Sequence, residues 1–465
     1  MSKSASDLGI KNAKVWHRGT FVESSVAISE GKIIEISKSA HERASRIIEG
    51  RNRFLIPGLV DLHVHTRDPG FTYKEDFYTA TRAATLGGVT TIVDMPNLNP
   101  LPNTEMNFLS KMEDCKQKAV VDFNHWALPT KLEEISKIAK LGAVGFKFFM
   151  VLVKGDKPVY PYLPETAIVD YGEIMKTFEE IAKTGLPCVV HPLQPEIFRE
   201  AQRDIKDVQG RHDVDAYLDA YSYKNSLTLT SSTASLVLIA SATGVTLEVA
   251  HVCWKEQLEL ARALKMSGFK FKTEINPWAF FLTREDNKRL GPFSHGLYHE
   301  GKEQDSIYEF LKDGTIDIIA TDHAPHTREE IREKGTKDYF ESPKGTPVLQ
   351  DYLRLFLDAI NKNKLGLETF VRLASENPAR HAGIYPRKGA IEVGSDADLV
   401  LVDMNKRHVI SNDKVESKAG WTPWDGRETI GSQETVIVRG EIVAQDYDVL
   451  VGKKGFGQFV KPSGR

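Results

Sequence analysis

Eight short apolar runs, most of them separated by segments with helical spacing, constrain this chain more than any other feature of its sequence. The runs fall at residues 58–63, 90–94, 120–126, 144–149, 187–191, 246–251, 269–275 and 317–322. Several are continuous in Val, Ile and Phe, as in strands buried on both faces, where no polar side is left to alternate. Helical patterns stand between them at 77–86, 171–184, 231–242, 255–266 and 305–312. A parallel neighbour can be reached only through a crossover, so strands alternating with helices give a parallel sheet, and eight such units close into a (β/α)8 barrel. The C-terminal ends of the strands, with the loops that follow, then carry whatever chemistry the chain has. The loops after the fourth and fifth runs are long.

The two chain ends read differently. Residues 26–28 and 33–36 make a hairpin around Gly31, and short strands return at 398–402 and 435–443. Neither end has enough apolar side chains for a core of its own, so the two are expected to pair into one small β-sandwich. The expected division is 1–56 and 388–450 for the halves of the sandwich, 57–387 for the barrel, and 451–465 for a flexible tail or a segment draped over the surface. With 61 basic and 64 acidic residues the net charge is −3, which argues against nucleic acid or an anionic membrane as partner. Cys115, Cys188 and Cys253 are odd in number and far apart, which points away from a disulfide framework and toward a reducing compartment. The chain opens on no apolar leader, and no stretch approaches the ~20 apolar residues of a membrane span, so cytoplasmic residence is expected.

The first barrel run ends in Asp61-Leu62-His63-Val64-His65. Residues i and i+2 of a strand share a face, so His63 and His65 point together into the barrel mouth, a natural half of a metal site. Alone, such a pair is weak evidence. Here the fifth run closes on His191, the sixth on His251 and the eighth on Thr321-Asp322-His323. Four histidines and an aspartate at equivalent strand ends are not what satisfied core histidines produce. The fourth run contributes Gly145-Phe146-Lys147-Phe148-Phe149, a lysine ringed by aromatics. It is either a snorkelling or salt-bridged lysine, or a neutral amine that has reacted with CO2 to give a carbamate bridging two metal ions; desolvation favours the neutral form. Lys154, in the following loop, is a weaker candidate. Directly past the first two histidines stands Arg67, and the second run leads into Asn97. A guanidinium fork with an amide beside it suits a carboxylate, the plainer alternative being a rim arginine paired with Asp68 or Glu75.

With these residues in view, the chain resembles the amidohydrolase superfamily, and within it the cyclic-amidase branch of dihydroorotases, allantoinases and hydantoinases. The resemblance runs nearly end to end. It is carried by Pro57-Gly58-Leu59-Val60-Asp61-Leu62-His63-Val64-His65, Gly87-Gly88-Val89-Thr90-Thr91, Asp322-His323-Ala324-Pro325-His326 and Gly394-Ser395-Asp396-Ala397-Asp398-Leu399-Val400. It implies that His63, His65 and Asp322 hold the more buried of two divalent metal ions, zinc first among Zn, Co and Mn. His191 and His251 would hold the more exposed one, and a carboxylated Lys147 would bridge them together with a hydroxide. Two ions about 3.5–4 Å apart acidify a shared water, which attacks the amide carbonyl while Asp322 moves its proton to the leaving nitrogen.

Within the branch, Arg67, Asn97 and the stretch Tyr73-Lys74-Glu75-Asp76 resemble dihydroorotase most. The resemblance implies that Arg67, Asn97 and His326 contact the ring carboxylate of dihydroorotate, a step of pyrimidine biosynthesis. Other segments depart from that pattern. Asn276-Pro277-Trp278 replaces a Pro-His pair, Gly291-Pro292-Phe293-Ser294 stands where Pro-Pro-Leu-Arg is usual, and Pro192-Leu193-Gln194 follows His191. Gln350 and the Phe-Lys-Phe context of Lys147 are similar to allantoinases and hydantoinases, so action on allantoin, a hydantoin or another cyclic imide is the alternative. Some relatives have lost their metal ligands and serve as scaffolds, but every expected ligand type is present here. The resemblance also implies a homodimer or homotetramer with a small cyclic amide as substrate.

Overall fold

The computed structural model describes residues 6–463 apart from 152, 155–156, 159–163, 296–300 and 451–453. Eight parallel strands form the centre, in chain order Leu59–Val64, Val89–Asp94, Asp122–Ala127, Gly145–Phe149, Pro187–His191, Thr246–Val249, Lys272–Ile275 and Ile318–Ile319. The ring closes where Val64 bridges His323 and the His65 N–H donates to the His323 carbonyl at 2.8 Å. The first four strands contain no exposed position, which is why they read as continuous apolar runs and why any charged residue in them is buried. Helices Phe77–Leu86 and Lys255–Met266 coincide with the expected ones. The former is fixed at its start by the Asp76 carboxylate, which accepts from the Thr79 N–H at 2.8 Å.

Three expectations need correction. The sixth and eighth strands are shorter than 246–251 and 317–322, because their last residues leave the ladder, as described below. The helix expected at 231–242 lies within Tyr223–Thr243, a 21-residue stretch apolar enough to cross a membrane by length and composition but kinked near its start, where Lys224, Asn225 and Ser226 are left-handed. It packs among Tyr171–Ala182, Pro195–Gln202 and Lys255–Met266 as one of the barrel's helices. The described part of the segment expected as a flexible or draped tail, residues 454–463, is instead built in: Val460 is fully buried, and its N–H donates to the Phe123 carbonyl at 2.9 Å, while the Phe123 N–H donates to the Gln458 carbonyl.

The two chain ends join in one hydrogen-bonded sheet of nine strands. Its junction is Phe54–Pro57, parallel to Ser6–His17 on one side and antiparallel to Leu399–Val409 on the other. The hairpin of Thr20–Ser29 with Lys32–Ser37 turns at Glu30 (φ 49°) and Gly31 (φ 74°), the doubly positive pair that a two-residue turn needs. Barrel, end sheet and C-terminal segment meet at Asp122. Its carboxylate is paired with Lys388 and Arg439 and accepts from the Gln458 N–H at 2.8 Å; Lys388, fully buried, also reaches Asp398 at 2.6 Å and Asp396 at 3.0 Å.

Candidate metal centre

The two shortened strands explain the local geometry of the site. His251 (φ 39°) and Asp322 (φ 49°) both stand in the left-handed region just past their strands, as does Arg67 (φ 61°) past the first. Such backbone costs about 1–3 kcal/mol per residue and persists only where surroundings hold it. Side-chain carboxylates replace the missing ladder partners. The His251 N–H donates to Glu274 at 3.2 Å, and Asp61 accepts from the N–H groups of Thr321 (3.0 Å) and His63 (3.1 Å).

His63 and His65 project together as the two-residue period requires, with their rings 5.3 Å apart. The Nε2 atoms of His63 and His65 lie 3.3 and 3.4 Å from the same Asp322 oxygen, and the three ligand atoms fall within 4.8 Å of one another. On the far side of each ring, Nδ1 meets an acceptor: Glu274 at 2.8 Å for His63, and the Asn97 side-chain oxygen at 2.7 Å for His65. A proton held at Nδ1 leaves the Nε2 lone pair aimed at the common point, the arrangement a ligating imidazole needs. His191 and His251 converge separately, Nδ1 to Nε2 at 2.7 Å, and the His251 ring lies 5.9 Å from that of His63.

Burial sets the charge states. It pushes His65 and His191 down to about 3 and His251 well below its ordinary value, so these rings are neutral. His63 differs: burial alone would lower it, but the Glu274 and Asp322 charges outweigh that and raise it. Burial alone would likewise raise Asp322, and the neighbouring His63 and His65 hold it well below the carboxylate range. Neutral imidazoles beside an ionised carboxylate are the states that bind a cation. Lys147 is fully buried, its ammonium nitrogen has no hydrogen-bond partner among the described residues, and it lies 5.1 Å from the centre of the Phe149 ring. Burial pulls it down to about 8, against the pull of Glu274 and Asp322. Neither a snorkelling nor a salt-bridged lysine looks like this. Lys154 lies on the two-residue strand Val153–Lys154, and its side chain is outside the described residues.

Arg67 is buried beside this group, with Nε donating to the Pro325 carbonyl and a terminal nitrogen to His326 Nε2, both at 3.2 Å. The His326 ring is buried in turn, with Lys74 Nζ 3.3 Å and Glu330 3.4 Å from its Nδ1. The two acids weighed as partners of Arg67 are engaged elsewhere, Asp68 with Lys118 at 2.9 Å and Glu75 with the Ser417 hydroxyl. Gln350 points away, donating to the Lys414 carbonyl and to Tyr447, both at 2.7 Å. Sequence reasoning missed three residues of this neighbourhood: Asp61, Glu274 and His295, the last with its ring 4.7 Å from that of Trp278 at a tilt of 32° and pushed by burial to about 4. For Glu274 there was a signal. A glutamate in a strand buried on both faces must have partners, because leaving it bare is costly.

Known proteins share this chain's family and fold. The amidohydrolase family model matches residues 54–443. The chain is 32% identical to the L-hydantoinase of Paenarthrobacter aurescens, over 98% of each chain. It is 30% identical to the dihydroorotase of Methanosarcina acetivorans, over 99% of this chain and 96% of that one. Among solved structures, the L-hydantoinase (dihydropyrimidinase) from Arthrobacter aurescens superposes with a TM-score of 0.91 at 31% identity, over 98% of this chain and 99% of the other. A D-hydantoinase superposes with a TM-score of 0.87 at 25% identity, again over 98% and 99%.

Proposed function

This chain belongs to the amidohydrolase family, in its cyclic-amidase branch, and on that premise we propose that its centre opens and closes a cyclic amide bearing a carboxylate. Dihydroorotate, opening to N-carbamoyl-aspartate, is the foremost such ring. In this reading His63, His65 and Asp322 hold one divalent ion, His191 and His251 a second, and Lys147 stands between them as a carbamate. The donor set fits: the His65, His191 and His251 rings are neutral, Asp322 is ionised, and a buried amine pulled to about 8 is poised to lose its proton and add to CO2. Bound there, two divalent ions, zinc foremost, supply Lewis acidity and acidify water. Asp322 takes the proton released as water adds to the ring carbonyl and returns it to the nitrogen as the carbon–nitrogen bond breaks, so the protons balance. Asn97 and Glu274 keep the two imidazoles turned the right way throughout.

One observation carries the choice of an anionic ring: a buried arginine two residues past His65, its fork braced by Pro325 and His326. A braced fork suits a carboxylate in two-point contact. The likeness to L-hydantoinase in both sequence and structure favours a second reading, hydrolysis of a hydantoin. Zinc-loaded enzyme assayed on dihydroorotate, 5-substituted hydantoins, allantoin and dihydrouracil separates them. The highest kcat/KM is expected on dihydroorotate. A preference for the uncharged hydantoins overturns the anionic-ring reading, and a chain that binds little metal and turns over none of these rings would be a scaffold.

A further inference from the structure

Glu274 neither moves a proton nor meets the ring in the proposed reaction, yet it is the most heavily engaged carboxylate under the centre. It stands on the seventh strand, Lys272–Ile275, and is fully buried. A single oxygen, Oε1, accepts from the His63 ring Nδ1–H at 2.8 Å, the His251 backbone N–H at 3.2 Å and the Asn276 side-chain amide at 3.3 Å. The first two belong to opposite halves of the centre, since His63 converges with His65 on Asp322 while His251 converges with His191. The second contact also falls on a strained residue. His251 has φ 39°, and past the end of its strand the Glu274 oxygen takes the place of a ladder partner for its N–H. Behind Glu274 the sixth-strand residue Glu248 is itself buried, with His381 Nε2 at 2.7 Å, so the clamp rests on polar groups instead of hydrocarbon.

We propose that Glu274 is the positioning residue that sets the spacing of the two metal subsites, by holding the His63 imidazole and the His251 backbone on one carboxylate oxygen. The inference rests on the proposed function for the identity of the ligands. It adds that the two subsites are not independent. Loss of Glu274 releases the ring orientation in one and the backbone in the other, so both weaken together.

The test uses the full-length protein with Zn2+ and Co2+ as probes. Metal content is read by elemental analysis, affinity at each subsite by competition with a chelator, and ligand geometry by the visible spectrum of the cobalt form. Glu274→Ala and Glu274→Met should each lose about ten- to a hundredfold in affinity at both subsites, the range usual when a partner of a metal-bound histidine is removed, and should alter the cobalt spectrum. Glu274→Met removes both oxygens and leaves no large cavity, so it decides the matter if the alanine variant does not fold. Gln350→Leu, a buried polar change that leaves both clamped contacts in place, should keep two ions within about threefold of the parent affinity. The inference is overturned by a folded Glu274 variant that binds like the parent, by a loss confined to one subsite, or by an equal loss in Gln350→Leu. A parent with two ions and unchanged variants defeats this inference alone; a parent that binds no metal defeats the proposed function with it.

Discussion

Replacing Arg67 by methionine isolates the one side chain on which the substrate assignment depends. Methionine keeps the length and apolar stem of arginine, and it faces the same strain at φ 61°, so the turn after the first strand should survive. What disappears is a charge only 7% exposed, braced at 3.2 Å by both the Pro325 carbonyl and His326. A charge-assisted hydrogen bond in such a desolvated place contributes about 1.5–3 kcal/mol, and each 1.4 kcal/mol is about tenfold, so a carboxylate in contact with Arg67 should lose about ten- to a hundredfold. The informative quantity is a ratio. With zinc-loaded parent and variant, kcat/KM is measured on dihydroorotate and on dihydrouracil, the same ring without its carboxylate, by loss of ring-amide absorbance. Dihydroorotate hydrolysis should fall by that factor while dihydrouracil hydrolysis stays within about threefold, because removing one contact should act only on the substrate that makes it. Equal losses on both rings would refute the reasoning: Arg67 would then support the Pro325–His326 loop, and an uncharged hydantoin would become the better substrate.

Three further outcomes follow from the same geometry. Lys147→Ala should lose most of its bound metal and its activity, with formate or acetate partly restoring both; full metal content without rescue would remove the carbamate from the site. Asp322→Asn keeps an oxygen toward His63 and His65 but cannot take a proton, so kcat should fall by about a hundredfold or more on every ring, and a few-fold change would exclude it as the shuttle. Lys388→Met leaves Asp122 and Asp398 buried without their lysine, which should lower unfolding stability by about 3–5 kcal/mol, read by denaturant titration. The parent should also show an acid slope there: burial alone would raise Asp396, but Lys388 and Lys32 overcome it and hold the carboxyl at about 2, against an ordinary 3.8. Its contribution of about 2 kcal/mol is therefore complete above about pH 4 and lost as pH falls toward 2, and a flat stability curve across that window would contradict the pairing.

What could be read from the sequence divides along a physical line. His63 and His65 were legible because a strand's two-residue period is a local property, and His191, His251 and Asp322 because each closes an apolar run. Lys147 was legible for the complementary reason, a charge set among Phe146, Phe148 and Phe149. The contacts of Glu274 were not, because they depend on His63, 211 residues earlier in the chain. Nor was the course of the C-terminal segment, with its few apolar residues Phe456, Phe459 and Val460. Its one local signal is Gly457: a Cβ there would stand 2.0 Å from the Val121 carbonyl oxygen, so only glycine allows that approach beside the third strand. Burial by packing against a distant partner leaves almost no trace in a short stretch of sequence.

The left-handed residues join these two classes. A strand that simply ran to its end would send its last side chain along the ladder, and the sequence expectation at 246–251 and 317–322 assumed as much. The structure instead breaks both strands early and turns His251 and Asp322 through φ 39° and 49°. Backbone of that kind is unfavourable by itself, so something must favour it more strongly, and here buried carboxylates supply the acceptors: Glu274 for the His251 N–H, and Asp61 for the N–H just before Asp322. The acidic residues inside the barrel thus do what ladder hydrogen bonds do elsewhere, while freeing the strand ends to converge. On the proposed reading, a centre held by side chains in this way would need little further ordering to take up its cations.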